Sequence, residues 1–314
     1  MRLVILAHHR YDDLMNKKIP VLNFSPPPSS ILRAALWMMG FALFFSFTSA
    51  LVRHISGQLH PVQIAFFRNI FGLVFILPLL FKSGFSVFHT RRFSKHLARA
   101  VTGLTAMFLL FAAVSLMPLA EATAMTFTAP LFATVGAALF LKEKVRIRRW
   151  SATIIGFIGA LIMLRPGIAQ ISTPALIALT SAAFIAMSML LVKSLSRTER
   201  PETMVFYMTL IMAILSLPTA LYVWSPVPEN LWFWLILLGI VATTGQFFMA
   251  KAFGYGEASE VLPFDFSRLI FAAFVGYLIF NEIPDFWTWV GGGIIFASTM
   301  YIARRESLQQ LKHN

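Results

Sequence analysis

The chain has 314 residues, of which 58% are hydrophobic and only 12% charged, with 32 Phe and no Cys. A mean hydropathy of +0.75 and a charged fraction about half that of a soluble domain exclude a water-soluble globular protein. The lack of cysteine excludes disulfides and thiolate metal sites, and the net charge of +13 invites a nucleic-acid reading that the placement of the charges refutes.

Residues 1–30 read as an N-terminal tail. Their one apolar patch, LVILA, is too brief for a signal-peptide core, and NFSPPPSS, from Asn23 to Ser30, reads as flexible. Met15, followed by NKK, stands as an alternative start. Beyond the tail the apolar runs are continuous rather than alternating, so they read as helices. A hydrocarbon core of about 30 Å takes about 20 helical residues, and backbone groups in lipid must be satisfied within each segment. The spans are 31–53, 61–81, 96–117, 120–141, 148–165, 174–195, 202–224, 230–251, 258–281 and 286–303. Connections are short and leave no room for a soluble domain. The expected units are a first five-helix repeat at 31–165, a second at 174–304, and a C-terminal tail at 305–314.

The second five spans echo the first five. LAEATAMTFTAPLFATVGAALFLKEK, from Leu119 to Lys144, pairs with ASEVLPFDFSRLIFAAFVGYLIFNE, from Ala258 to Glu282. Glu121 and Glu260 open these segments, Glu143 and Glu282 close them 22 residues later, and Trp150 and Trp289 follow seven residues on. Pro78 and Pro218 occupy matching places in the second and seventh spans, where each bends its helix and offers a hinge. Five spans per half is an odd number, so the second half enters the membrane inverted. The loop after Phe140, KEKVRIRR, is strongly basic, whereas its counterpart after Phe280, NEIPD, has no Lys or Arg. With both termini cytoplasmic, only Arg53 and Arg165 of the 26 Lys and Arg fall on the outer side, and Arg68 and Arg268 fall inside helices. All the others, Arg99 among them, fall on the cytoplasmic side. That is the positive-inside pattern: the basic residues orient the protein in the bilayer and bind no nucleic acid.

Arg268 is the leading candidate for a functional side chain. It lies about ten residues into the ninth span, near 15 Å depth at about 1.5 Å per residue. An ionisable group there faces a cavity or a partner. Asp265, three residues earlier, shares its helix face. The pair is either a substrate contact and gate or a permanently neutralised packing element. Arg68 is nearer the outer end of the second span and either lines a path or snorkels to the headgroups; Asn69 beside it is placed to bond between helices. Glu121 and Glu260 either cap the helices that follow or couple transport to protons. Gln246 is deep enough in the eighth span to line a cavity, and Lys251 reads as an orientation charge. Trp37, Phe41, Phe44 and Phe45 share one helical face, which meets lipid or another helix, or else stacks on a planar or cationic ligand. Gly156, Gly159, Gly291, Gly292 and Gly293 permit close helix packing, within the chain or at a homodimer face.

The repeat pair, with Pro130 opening PLFATVGAALFLKEK, the FDFSRLIFAAFVGYLIFNEIPD block and LHPVQIAFFR from Leu59 to Arg68, resembles the drug/metabolite transporter superfamily in its EamA-domain branch. The likeness covers about 31 to 304. It implies an all-α integral membrane fold of ten transmembrane helices, arranged as two inverted five-helix EamA repeats. Helices one, three, four, six, eight and nine would line a central cavity. The implied partners are a small-molecule substrate and the lipid bilayer, with no cofactor and no metal, in a bacterial cytoplasmic (inner) membrane. Within the branch the chain looks most like transporters for S-adenosylmethionine uptake; riboflavin uptake and export of amino acids, metallophores or drugs are the alternatives. No H-E-x-x-H, G-x-S-x-G or G-x-x-x-x-G-K-[ST] occurs, which argues against an intramembrane enzyme and against ATP-driven pumping. A membrane scaffold has no need of an inverted duplication.

Overall fold

The computed structural model describes residues 31–83, 89–129, 131–133, 135, 147–164, 172–196, 198–255, 261 and 264–310. The continuous apolar runs form helices: α1 (Ile31–Ser56), α2 (Pro61–Ser83), α3 (Phe93–Leu116), α4 (Leu119–Thr126), α5 (Ile147–Leu164), α6 (Thr173–Ser196), α7 (Pro201–Tyr222), α8 (Trp232–Tyr255), α9 (Ser267–Phe280) and α10 (Phe286–Gln310). Among the described residues there is no strand. Among the described residues, six helices are long and apolar enough to cross a bilayer, and the shorter apolar helices include Ser267–Phe280 and Phe286–Ser298. Leu36, Ile154, Ile214, Phe233, Phe274 and Leu278 project outward, exposed, as side chains that face lipid rather than water. The protein is a multi-pass membrane protein.

Two helices break at matching places. Helix α4 gives way to a turn at 127–128 before helical residues resume at 129. The Thr126 and Thr128 hydroxyls donate to the carbonyls of Thr123 and Met125, both at 2.7 Å. Before α9, a turn residue at Phe266 interrupts the helical course, and the Ser267 hydroxyl donates to the Phe264 carbonyl at 2.8 Å. Hydroxyls that bond back three residues compete with the helical ladder, so both breaks are written in local chemistry.

The packing is regular. Helix α1 lies against α8, α3 against α6, α2 against α7, and α5 against α10. Exchanging each helix for the one five later turns the α1–α8 contact into α6–α3 and leaves α2–α7 and α5–α10 unchanged. Glycines set the closest approaches. A Cβ on Gly239 of α8 would lie 2.8 Å from the Gly72 nitrogen of α2, and one on Gly159 of α5 would lie 2.9 Å from the Gly291 carbonyl oxygen of α10. Gly159 and Gly291 are thus used against each other within one chain, while a Cβ on Gly292 would meet Leu269 of α9 at 3.1 Å.

Polar ties mark two ends of the bundle. At the first, Arg53 near the end of α1 is ion-paired with Glu282 just beyond α9. Its Nη1 donates to the Met117 carbonyl at 2.7 Å, while the Leu119 amide donates to the Glu282 carboxylate at 3.0 Å. Gln63, at the start of α2, donates to the Ser225 carbonyl after α7 at 2.8 Å. At the second end, the Thr90 hydroxyl donates to Glu199 at 2.7 Å, Lys95 donates to Ser194 at 2.6 Å, and Lys251 lies 3.9 Å from Glu202. Helix α1 therefore finishes at the first end and α6 at the second.

Candidate functional site: a cavity between the two halves

A cavity of about 130 Å³ lies between helices of both halves, with walls from α1, α2, α3, α6, α7, α8 and α9. Phe41, Phe45 and Phe111 supply aromatic faces, and Met107, Met189, Met208, Met212 and Met249 supply flexible thioethers. Thr48, Ser188 and Gln246 are its neutral polar groups, and Arg68, Arg99 and Arg268 its cations. Among the described residues, no carboxylate lines it.

The arginines reach the cavity from different levels. Arg68 is the eighth residue of α2, counted from the first end of the bundle. Arg99 is the seventh residue of α3, counted from the second end. Arg268 sits between these levels, beside the break that precedes α9, and its carbonyl accepts a 3.3 Å hydrogen bond from the Ser46 hydroxyl of α1. Their relative exposures are only 6%, 1% and 3%, so each carries a desolvation cost that partners must offset.

Arg268 is the best compensated. Its Nη2 donates to Asp265 Oδ2 at 3.0 Å, and its guanidinium lies over the Phe45 and Phe127 rings at 4.5 and 4.8 Å. Its Nε and Asp265 Oδ1 have no hydrogen-bond partner. Arg68 Nη1 donates to Asn69 Oδ1 at 2.7 Å. Arg99 Nη1 donates to the Met204 carbonyl at 3.0 Å, while its Nε and Nη2 are buried with no partner.

Of the candidate residues read from sequence, Arg268, Arg68, Gln246 and Phe41 line the cavity. Asp265 is buried behind it on Arg268. Trp37 and Phe44 pack edge-on against Phe248, at 4.6 and 5.2 Å between centroids. Glu121 occupies the first turn of α4, where a carboxylate complements the helix dipole. Glu260 lies outside the described residues. Reading charge by loop assigns Arg99 to the cytoplasmic surface, but the structure buries it in the cavity wall. Its signal is its register: His96 and Arg99 lie three residues apart on one face of α3, and both are buried.

The EamA-like transporter family model matches this chain twice, over residues 32–165 and 172–304. The riboflavin transporter of Vibrio cholerae is 34% identical over 281 residues, covering 88% of this chain and 94% of its own length. The S-adenosylmethionine uptake transporter of Rickettsia prowazekii is 30% identical over 278 residues, with 88% and 94% covered. The pseudopaline exporter of Pseudomonas aeruginosa is 29% identical over 267 residues, with 83% and 93% covered. A solved crystal structure superposes with a TM-score of 0.62 at 18% identity, covering 87% of this chain and 98% of its own; at that identity the likeness is one of fold.

Proposed function

This chain belongs to the EamA-like transporter family, and from that premise we propose that it carries a small organic metabolite across a bacterial cytoplasmic membrane by alternating access, with S-adenosylmethionine-like uptake favoured. The observation that carries this reading is the cavity itself, which is walled by both halves and lined by cations and aromatic rings. Ten membrane helices in two inverted halves, 31–165 and 174–304, with both termini cytoplasmic, are the architecture we infer. Support comes from the packing pattern that survives exchange of the halves, and from α1 and α6 finishing at opposite ends. Discontinuous helices beside a central site are a recurring device of such transporters, and the breaks in α4 and α9 fit it. The first end of the bundle, with Arg53 and Glu282, is then the outer mouth, and the second end, with Glu199, the inner one.

S-adenosylmethionine combines a planar base, a carboxylate and a sulfonium. Arginines suit the carboxylate, and the faces of Phe41, Phe45 and Phe111 suit the base or the sulfonium. Riboflavin is the second reading, favoured by the relative at 34% identity and by the same aromatic walls, which suit a flat ring system. The assay is accumulation of labelled S-adenosylmethionine, and of riboflavin in parallel, in cells expressing the protein against cells carrying empty vector, with membrane expression confirmed. Raised S-adenosylmethionine establishes the favoured importer. Raised riboflavin alone replaces the substrate, and accumulation of neither sinks the uptake reading and moves the assay to efflux.

A further inference from the structure

Arg99 differs from Arg268 in which edge of its guanidinium is free. The group presents donors along two useful edges. One edge pairs the two terminal nitrogens, and the other pairs Nε with Nη2, whose N–H bonds run parallel and match the two oxygens of a carboxylate. In Arg99 the bond to Met204 uses Nη1 alone. Both nitrogens of the side edge, Nε and Nη2, are buried and without a partner. In Arg268 the corresponding edge is half occupied, since Nη2 already binds Asp265.

A cation this deeply buried with an open fork is costly unless a ligand completes it. The residue lines the cavity, and no lining carboxylate among the described residues answers it. Two acids at its end of the bundle are drawn elsewhere, Glu199 to Thr90 and His96 and Glu202 to Lys251. Met107, Val192 and Met208 are among the apolar residues that line the same cavity.

We propose that Arg99 is the carboxylate-binding subsite of the transport cavity: its Nε and Nη2 take the two oxygens of a substrate carboxylate, so the substrate class is an amino-acid-like or other organic acid. This rests on the transport reading of the cavity and deepens it. A carboxylate held there also fixes polarity. The acid end points toward the inner mouth, and the rest of the molecule extends along the Phe41, Phe45 and Phe111 faces toward Arg268.

The test uses purified full-length protein and three probes built on one adenosine–sulfur frame. S-adenosylmethionine has the carboxylate and the sulfonium, S-adenosylhomocysteine keeps the carboxylate without the sulfonium, and methylthioadenosine lacks the whole amino-acid arm, so the Arg99 variants assign the difference to the carboxylate. Binding is read by thermal shift and by titration calorimetry. The expected result is that both carboxylates bind at least about tenfold more tightly than methylthioadenosine, as for a charge-assisted hydrogen-bonded contact. Arg99→Lys, which keeps the buried cation but not the fork, removes most of that advantage, and Arg99→Gln removes it all. Should Arg99→Gln fail to fold, Arg99→Lys alone carries the comparison. Equal binding of all three probes, binding of none, or a carboxylate preference that survives Arg99→Lys overturns the subsite. Cellular uptake of S-adenosylmethionine or riboflavin by the unaltered protein reports on the transport reading separately, so either can fail while the other stands.

Discussion

Phe127 and Phe266, 139 residues apart in the chain, meet with ring centroids 4.8 Å apart at the breaks of α4 and α9. That spacing is also the one between Glu121 and Glu260, so the two rings are equivalent positions of the duplicated segment brought into contact, their planes tilted by 41°. An aromatic pair contributes about 0.5–1.5 kcal/mol beyond its buried area. Phe127 also carries the Arg268 guanidinium over its ring. Phe127→Ala and Phe266→Ala are each expected to lower thermal stability, with a double-mutant coupling of about 1 kcal/mol. Strict additivity, measured by thermal unfolding of the detergent-solubilised variants, would remove the pair from the account of how the halves meet.

Arg53 and Glu282 close the first end of the bundle by tying α1, the α3–α4 corner and the end of α9 together. Removing the charge on Glu282 leaves Arg53 with the Met117 carbonyl and the face of the Phe280 ring, without its ion pair. The protein has no cysteine, so a single Ser188→Cys reports directly on access to the cavity wall. Glu282→Gln is expected to speed its labelling by a membrane-impermeant maleimide added outside by several-fold. An unchanged rate would mean that this ion pair does not hold the first end of the bundle, the proposed outer mouth, shut.

The sequence made much of this legible, and its failures have physical causes. Arg268 was visible because it interrupts an otherwise apolar run, where a charge is conspicuous. Arg99 was hidden because Arg91, Arg92 and Lys95 precede it, and it merges with an orientation cluster when charge is counted by loop. Only the helix register, which turns Arg99 inward three residues after His96, separates it from those neighbours. The face of α1 was legible as aromatic, but Phe41 and Phe45 face the cavity while Trp37 and Phe44 meet Phe248. A stripe of one residue type does not record where two neighbouring helices divide it. The small residues of the fifth and tenth spans read as a close-packing surface without saying whose; Gly159 approaches Gly291 within the chain, while a Cβ on Gly293 would meet open space.

Arg268→Ala is expected to abolish transport while leaving membrane expression intact. The substitution strips the cavity of a cation and leaves Asp265 buried alone, a change that in other proteins costs about 3–5 kcal/mol. The double variant Asp265→Asn with Arg268→Gln removes both charges together and is expected to fold better than Arg268→Ala, still without transport. Uptake activity in the double variant, normalised to surface expression, would assign the pair to helix packing.

Glu199 gives the second end of the bundle a pH dependence whose sign can be worked out. Burial alone raises its carboxyl, but the His96 imidazole 3.9 Å away, the Thr90 hydroxyl bond and the charge of Arg92 more than offset this, so the group titrates below its ordinary 4.5. A carboxyl depressed by folding contributes stability that is fully present above its unfolded value and is lost as the pH falls through the folded one. Below 4.5 the tie from Thr90 and α3 to the α6–α7 loop therefore weakens as Glu199 takes up a proton. Melting temperatures recorded from pH 7 down to pH 3 should converge for the unaltered protein and Glu199→Gln at the acid end and separate above it, with the unaltered protein the more stable. A constant gap across the whole range would mean that the carboxylate charge contributes nothing there, and that any difference comes from the shape of the side chain alone.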